Sequence, residues 1–63
     1  MIDTNRYIGL GKRRAQNLAE ADNLVFRLVS SNGEVILGRP DDVQPDRLCV
    51  VIEGDQVKEA WIG

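Results

Sequence analysis

The 63-residue sequence has no histidine and a single cysteine, Cys49. One cysteine excludes an intrachain disulfide, and a structural zinc site needs about four sulfur or nitrogen ligands, which this chain does not offer. Without histidine, the Ser-His-Asp and Cys-His pairs of nucleophilic enzymes are excluded as well. Because neither a disulfide nor a metal braces so small a domain, we expect its apolar core alone to hold it together, with no cofactor and no metal site.

Long apolar runs are also missing. The longest unbroken run covers residues 48–52, far short of the ~20 residues that cross a bilayer. Residues 1–6 lack the apolar segment of a signal peptide. A cysteine without a partner is typical of a reducing compartment. We therefore expect a cytoplasmic protein that does not bind a membrane.

The chain length leaves room for one domain and little room for an enclosed cleft. A domain of this size buries only ~60% of the surface of its unfolded chain, whereas catalysis usually needs a concave pocket with converging polar groups. The composition, with 43% hydrophobic and 29% charged residues, is typical of a folded chain rather than a disordered one. We predict a folded domain that is not an enzyme.

The net charge of −2 is unevenly distributed. Residues 1–14 contain four basic residues and one acidic residue, and the rest of the chain contains four basic and nine acidic residues. A basic group such as Lys12, Arg13 and Arg14 can attract nucleic acid or an acidic partner. Since this group is neither dense nor interleaved with aromatic residues, we interpret it as a solvated helix face and expect no nucleic-acid binding.

Local composition predicts one helix packed on one small sheet. The predicted elements are a flexible N-terminus at residues 1–6, a helix at about 12–21, strands at 24–29, 34–37, 48–52 and 56–62, and an irregular loop at 38–46. Residues 48–52 are apolar on both faces, as in a central strand. Two residue pairs, Asn32-Gly33 and Gly54-Asp55, tolerate positive φ angles and predict tight hairpin turns.

Successive side chains of a strand point to opposite faces of the sheet. In the last strand, this alternation places Val57, Glu59 and Trp61 on one face and Lys58, Ala60 and Ile62 on the other. The helix is expected to face the sheet with Ala15, Leu18 and Ala19. The residues predicted to be buried together are Leu18, Phe26, Leu28, Leu48, Val50 and Ile52.

Other catalytic or ligand-binding motifs find little support. The loop acids Asp41, Asp42 and Asp46 resemble paired catalytic carboxylates, but a chain this small cannot shield them from water, and their spacing does not match a calcium loop. Gly9-Leu10-Gly11 matches no phosphate-binding motif. Cys49 lies within a predicted strand, where a cysteine behaves as a small buried apolar residue.

One arrangement remains: a helix, a strand, a proline-containing loop, a second strand that begins Asp46-Arg47-Leu48, and a final hairpin that ends in glycine. In this order the chain resembles the potato inhibitor I family of serine-protease inhibitors and its microbial elastase-inhibitor relatives. Pro45-Asp46-Arg47-Leu48-Cys49-Val50 is similar to the Pro-Asp-Arg-Leu-Asn-Val of that family, and Glu53-Gly54-Asp55-Gln56-Val57 is similar to its hairpin. The resemblance covers residues 7–63 as one domain, with extra length at residues 30–38.

The resemblance implies an α+β fold in which one helix packs on a small mixed sheet of three or four strands, with an exposed loop between two parallel strands. In the family this loop binds the protease and is held rigid by arginines from the strand that follows. The corresponding loop residues are Arg39, Pro40, Asp41, Asp42, Val43 and Gln44, and the supporting residues are Asp46 and Arg47. Asp41 then occupies the scissile position.

Three departures from the family pattern leave two functions open. Asp41 replaces a large apolar side chain, Cys49 occupies a position where the family has a second supporting arginine or asparagine, and the disulfide cysteines of the microbial relatives are absent. The first interpretation is a protease-inhibitor-like binding domain whose partner is a serine protease. The alternative is a non-inhibitory cytoplasmic interaction module that reuses the scaffold to bind another protein. In either case we expect a monomer or a weak homodimer.

Overall fold

The computed structural model describes residues 2–63. Its elements, in chain order, are a 3-10 helix at Thr4–Tyr7, helix α1 at Lys12–Ala21, and strands β1 at Val25–Ser31, β2 at Glu34–Val35, β3 at Arg47–Glu53 and β4 at Gln56–Ile62. The strands form one sheet in the order β2-β1-β3-β4. β1 and β3 are parallel, and the two outer pairs are antiparallel. This confirms the predicted α+β class, with four strands and a parallel central pair.

Helix α1 lies on one face of the sheet and has the bounds that its composition predicts. Ala15 and Ala19, four residues apart, are both fully buried, because this spacing places them on the same side of a helix. The first turn contains basic residues and no acidic ones, an arrangement that opposes the helix dipole. Within residues 2–63 no helix has the length and apolar content needed to span a bilayer.

Both hairpin turns use backbone conformations that few residue types adopt. Asn32 and Gly33 have φ angles of 52° and 82°, and Gly54 and Asp55 have φ angles of 58° and 62°. Consecutive positive φ angles are those of the two-residue turns that match strand twist, so both turn predictions are confirmed. The Asn32 side chain also accepts a hydrogen bond of 2.8 Å from the Gly54 amide, which joins the two turns at one end of the sheet.

Strand β2 is shorter than predicted. It ends at Val35 rather than Leu37, although the Leu37 amide still donates to the Leu28 carbonyl at 3.2 Å. The amides of Ile36 and Gly38 both donate to the Val29 carbonyl at 3.0 Å. Because two amides converge on one acceptor, the chain bends away from the regular ladder after Val35.

The main core lies between α1 and the sheet. The central strand contributes Leu48, Val50 and Ile52, which are buried as predicted. The other three predicted core residues, Leu18, Phe26 and Leu28, pack against the same cluster but are only partly buried. A single helix does not cover the full width of a four-stranded sheet, which leaves the side chains at the margins of the core accessible to water.

The face prediction for β4 is wrong at Val57, because the strand contains a bulge. Val51 pairs with Glu59 and Ile52 pairs with Val57, so Lys58 is an extra residue without a partner on β3. A bulge reverses the alternation of side chains beyond it. Val57 therefore lies in the main core, whereas Trp61 packs on the opposite face of the sheet.

The N-terminal segment is more structured than the prediction of a flexible terminus at residues 1–6 implied; Met1 lies outside the described residues. Asp3 accepts a hydrogen bond of 3.0 Å from the Asn5 amide at the start of the 3-10 helix. Tyr7 is fully buried, and its hydroxyl donates to Asp22 Oδ2 at 2.7 Å. Burial of the ring, together with this hydrogen bond, raises the pKa of Tyr7 to about 12. The pair joins the 3-10 helix to the end of α1.

Candidate functional site

The face of the sheet opposite α1 carries a small second apolar cluster. Val29, Cys49 and Val51 are buried there, and Trp61 packs against them. Because Cys49 is a free, buried thiol, it behaves as part of this cluster rather than as an exposed nucleophile. Residues 38–46, which we call the binding loop because the resemblance above assigns them that role, lie between β2 and β3. They contact residues of this face and of the adjacent strand ends.

The middle of the binding loop is open to solvent. Asp41, Asp42, Val43 and Gln44 are exposed, and Val43 is 82% accessible. An exposed valine on a loop gains nothing from the core, so the Val43 side chain is available to contact another molecule. Along the chain, the loop is part of the connection between the parallel strands β1 and β3. The resemblance predicts this arrangement.

The downstream end of the binding loop is held by Arg47. Its Nη2 atom donates to the main-chain oxygen of Asp42 at 2.9 Å and to Asp42 Oδ1 at 2.9 Å. The same guanidinium donates to the Gly63 oxygen from Nε at 3.1 Å and from Nη2 at 2.6 Å. The main-chain amide of Gln44 donates to that Gly63 oxygen as well, at 3.1 Å. These downstream contacts join the loop, the start of β3 and the end of β4 through one largely buried arginine.

The upstream end of the binding loop is held by residues of other strands. Arg27 on β1 donates to the Gly38 oxygen from Nε at 3.0 Å and to the Leu37 oxygen from Nη2 at 2.9 Å. The guanidinium carbon of Arg39 lies 4.6 Å from the centroid of the Trp61 ring, within the range of a cation–π interaction. We refer to these as the upstream contacts.

Electrostatics favour the ionised form of Asp42. Hydrogen bonds from the side-chain amide of Gln44 and from the Arg47 guanidinium lower the pKa of Asp42 from 3.8 to about 2. The Gln44 side chain reaches Asp42 Oδ2 at 2.8 Å, and Arg47 takes Oδ1. With both carboxylate oxygens engaged, the side chain and the backbone of Asp42 are fixed together.

The predicted site residues lie in the binding loop or contact it, but Asp46 does not contact the loop through its side chain. Asp46 is exposed, and its main-chain oxygen accepts from the Val25 amide at 2.7 Å. Within residues 2–63 its side chain makes no hydrogen bond, so its support of the loop comes from the main chain. Arg47 has the supporting contacts expected from the resemblance. Pro40 and Asp41 lie between the upstream and downstream contacts.

Sequence reasoning missed three residues of this system: Arg27, Trp61 and Gly63. A lone arginine between Phe26 and Leu28 was a usable signal, because in a strand it must face away from the core that its neighbours join. Its contact with the loop, however, depends on strand order and register. Gly63 is buried, and a Cβ atom built there would lie 3.2 Å from the Trp61 ring, so the ring leaves little room for a side chain.

Elsewhere on the molecule there is an open groove of about 520 Å³, at the end of the sheet opposite the binding loop. It is lined by Ile8, Gly9, Glu53, Gly54, Gln56, Val57 and Lys58. Glu53 and Lys58 form an ion pair of 3.3 Å between exposed side chains, so the polar groups there satisfy each other. In the described part of the chain, no three His, Cys, Asp or Glu side chains lie close enough together to hold a metal ion.

Comparison with known proteins finds no match to this chain among family models, curated proteins or solved structures. Function is therefore inferred from the geometry and chemistry of the binding loop.

Proposed function

We propose that the chain is a protease-inhibitor-like binding domain that presents residues 38–46 to a serine protease. The observation that carries this proposal is the attachment of an exposed loop at both ends. Arg47 fixes Asp42 and Gly63 on the downstream side, and Arg27 holds Gly38 on the upstream side. A loop already fixed in one shape loses little conformational entropy when a partner binds it.

The same contacts account for inhibition rather than digestion. If a protease cleaves the bond between Asp41 and Asp42, the new chain ends remain attached to the domain through separate contacts. The released amine of Asp42 then stays beside the acyl group of Asp41, and the effective concentration of the amine favours resynthesis of the bond over hydrolysis. This behaviour also fits the resemblance of residues 45–50 to the potato inhibitor I family.

Asp41 sets the class of target. Asp41 is exposed within the binding loop, and the resemblance to the potato inhibitor I family assigns it the position that enters the primary pocket of a protease. Burial of a carboxylate in an apolar pocket without a partner costs several kcal/mol, because the charged group loses its hydration. A pocket that supplies a cation or several hydrogen-bond donors removes that cost. We therefore propose acid-selective serine proteases as the targets, in the cytoplasm, since the one cysteine is a free thiol.

A non-inhibitory interaction module remains the second candidate, and the exposed carboxylate of Asp41 favours it. An exposed carboxylate on a fixed loop suits a basic surface on a partner protein as well as it suits a protease pocket. Such a module needs no resistance to cleavage. In this second function the domain acts as a monomer or weak homodimer that binds a basic protein through the same loop.

The test is titration of one acid-selective and two apolar-selective serine proteases with the wild-type chain, Asp41→Leu, and the double variant Asp41→Leu/Arg47→Ala. We expect stoichiometric inhibition of the acid-selective enzyme by the wild type, and of a subtilisin-like enzyme by Asp41→Leu. Loss of Arg47 is expected to convert the Asp41→Leu inhibitor into a substrate, visible as loop cleavage by mass spectrometry. If the wild type and Asp41→Leu are both inert or both digested, inhibition is ruled out and the module remains.

A further inference from the structure

Strand register places an arginine next to the one cysteine of the chain. Arg27 on β1 pairs with Cys49 on β3 in the parallel register, so both side chains emerge at the same level on the face that carries the binding loop. Cys49 is fully buried and offers no charged donor. The partly buried Arg27 reaches instead to the Gly38 and Leu37 oxygens at 3.0 and 2.9 Å.

We infer that Arg27 is a positioning residue for the upstream end of the binding loop, a role that the buried, uncharged side chain of Cys49 beside it does not fill. Its value for protease binding rests on the function proposed above. Its effect on the loop does not, because the contacts exist within the free chain.

The two arginines act on opposite sides of the exposed bond between Asp41 and Asp42. Arg47 fixes the residue after the bond, and Arg27 fixes the two carbonyls that lead into the loop. Both oxygens accept from a guanidinium, and hydrogen bonds to charged donors are stronger than neutral ones. A planar guanidinium also constrains the direction of two acceptors at once, which a lysine ammonium does not do.

Arg39 extends this support by one residue. Its guanidinium stacks on Trp61 at 4.6 Å, and its backbone directly follows Gly38, whose oxygen Arg27 holds. Gly38 has a φ angle of 74°, which glycine adopts at no steric cost. The chain therefore has a left-handed backbone conformation at Gly38, and Arg27 fixes the carbonyl of that residue. Release of Arg27 is expected to free the Arg39 side chain from the Trp61 ring.

The experiment compares the wild type with Arg27→Met, which keeps the aliphatic part of the side chain, and with Arg27→Lys. Trp61 is the one tryptophan of the chain, so its fluorescence reports the Arg39 stack directly. We expect Arg27→Met to change that fluorescence in the folded protein. We also expect it to speed cleavage of the loop by an acid-selective endopeptidase at least about tenfold, since a tenfold change corresponds to the net value of a single hydrogen bond and Arg27 makes two. Arg27→Lys should recover only part of each effect.

A matched control separates loop positioning from general stability. Val57→Ala removes a buried side chain from the main core, on the face of the sheet away from Trp61, and is expected to lower stability without releasing the loop. The main-chain amide of Gln44 donates to the Gly63 oxygen, one of the downstream contacts. Hydrogen exchange at this amide should stay unchanged in Arg27→Met. The inference is overturned if Arg27→Met leaves the loop unchanged, or if its effects match those of Val57→Ala at equal loss of stability.

The two proposals fail in different ways. If the wild type inhibits no protease while Arg27→Met still loosens the free loop, the inhibitor function is lost and the positioning role stands. If the wild type inhibits a protease and Arg27→Met inhibits it with the same affinity and resistance to cleavage, the positioning role is lost and the function stands.

Discussion

The Nη2 atom of Arg47 lies 2.9 Å from both the main-chain oxygen and Oδ1 of Asp42. One donor group therefore fixes the backbone and the side chain of the same exposed residue. Because Arg47 also donates to the Gly63 oxygen, the orientation of Asp42 is set by the ends of two strands. This is the arrangement from which the loop obtains a defined shape without a disulfide.

Replacement of this arginine is the most direct test of the loop geometry. Arg47→Met should lower the free energy of unfolding by about 1–3 kcal/mol, since hydrogen bonds to charged groups are worth more than neutral ones and the Arg47 side chain is only 13% exposed. Urea denaturation measures the loss. Arg13→Met, an exposed arginine on α1, serves as the control and should change stability by less than about 0.5 kcal/mol. Equal effects of the two substitutions would contradict the role of Arg47.

The contacts of the Asp42 carboxylate with Gln44 and Arg47 should persist as the pH is lowered to about 2. The folded-state pKa of Asp42 is lowered to about 2 from the usual 3.8, so the folded state binds this proton less readily than the unfolded state. The carboxylate therefore contributes its full stabilisation above about pH 4 and loses it as the pH falls through 2. An NMR titration of the Asp42 side chain should show the low pKa, and Gln44→Ala should shift it upward. An unshifted Asp42 in the wild type would mean that the Gln44 and Arg47 contacts are not formed in solution.

Much of the architecture could be predicted because local signals and the fold agree. Helix α1 follows from helix-favouring residues with alanines on one face, and Asn32-Gly33 marks a turn that requires positive φ angles. The loop between parallel strands followed from a resemblance at residues 45–50 rather than from composition. Each of these features depends on residues that are close in the sequence.

The features that could not be predicted depend on strand register. The bulge at Lys58 shifts Val57 into the core, and nothing in the alternation of β4 marks where it occurs. Arg27 supports the loop because β1 pairs with β3 at Cys49, a relationship between residues far apart in the chain. The contact of Tyr7 with Asp22 likewise spans fifteen positions.

The contact between Tyr7 and Asp22 makes the N-terminal segment part of the fold. Tyr7→Phe keeps the buried ring and removes the hydroxyl that donates to Asp22 at 2.7 Å, and it should cost about 0.5–1.5 kcal/mol, the net value of one hydrogen bond. Thermal unfolding followed by circular dichroism measures the shift. Thr4→Ser, a change in the same 3-10 helix, is the control. If Tyr7→Phe and Thr4→Ser are equally neutral, the N-terminal segment is not held through this hydroxyl.

The central strand should carry a large share of the stability. Val50 is fully buried between α1 and the sheet, and Val50→Ala removes two methyl groups and leaves a cavity that the neighbouring strands cannot fill. The expected loss is about 2–3 kcal/mol, a substantial part of the 5–15 kcal/mol that stabilises a small domain. Val43→Ala makes the same chemical change at a loop position that is 82% exposed and should cost less than about 0.5 kcal/mol. Denaturant titration of both variants under the same conditions compares the two sites directly. A loss below about 0.5 kcal/mol for Val50→Ala would show that this face of β3 does not form the core, and the packing of α1 on the sheet would then be wrong.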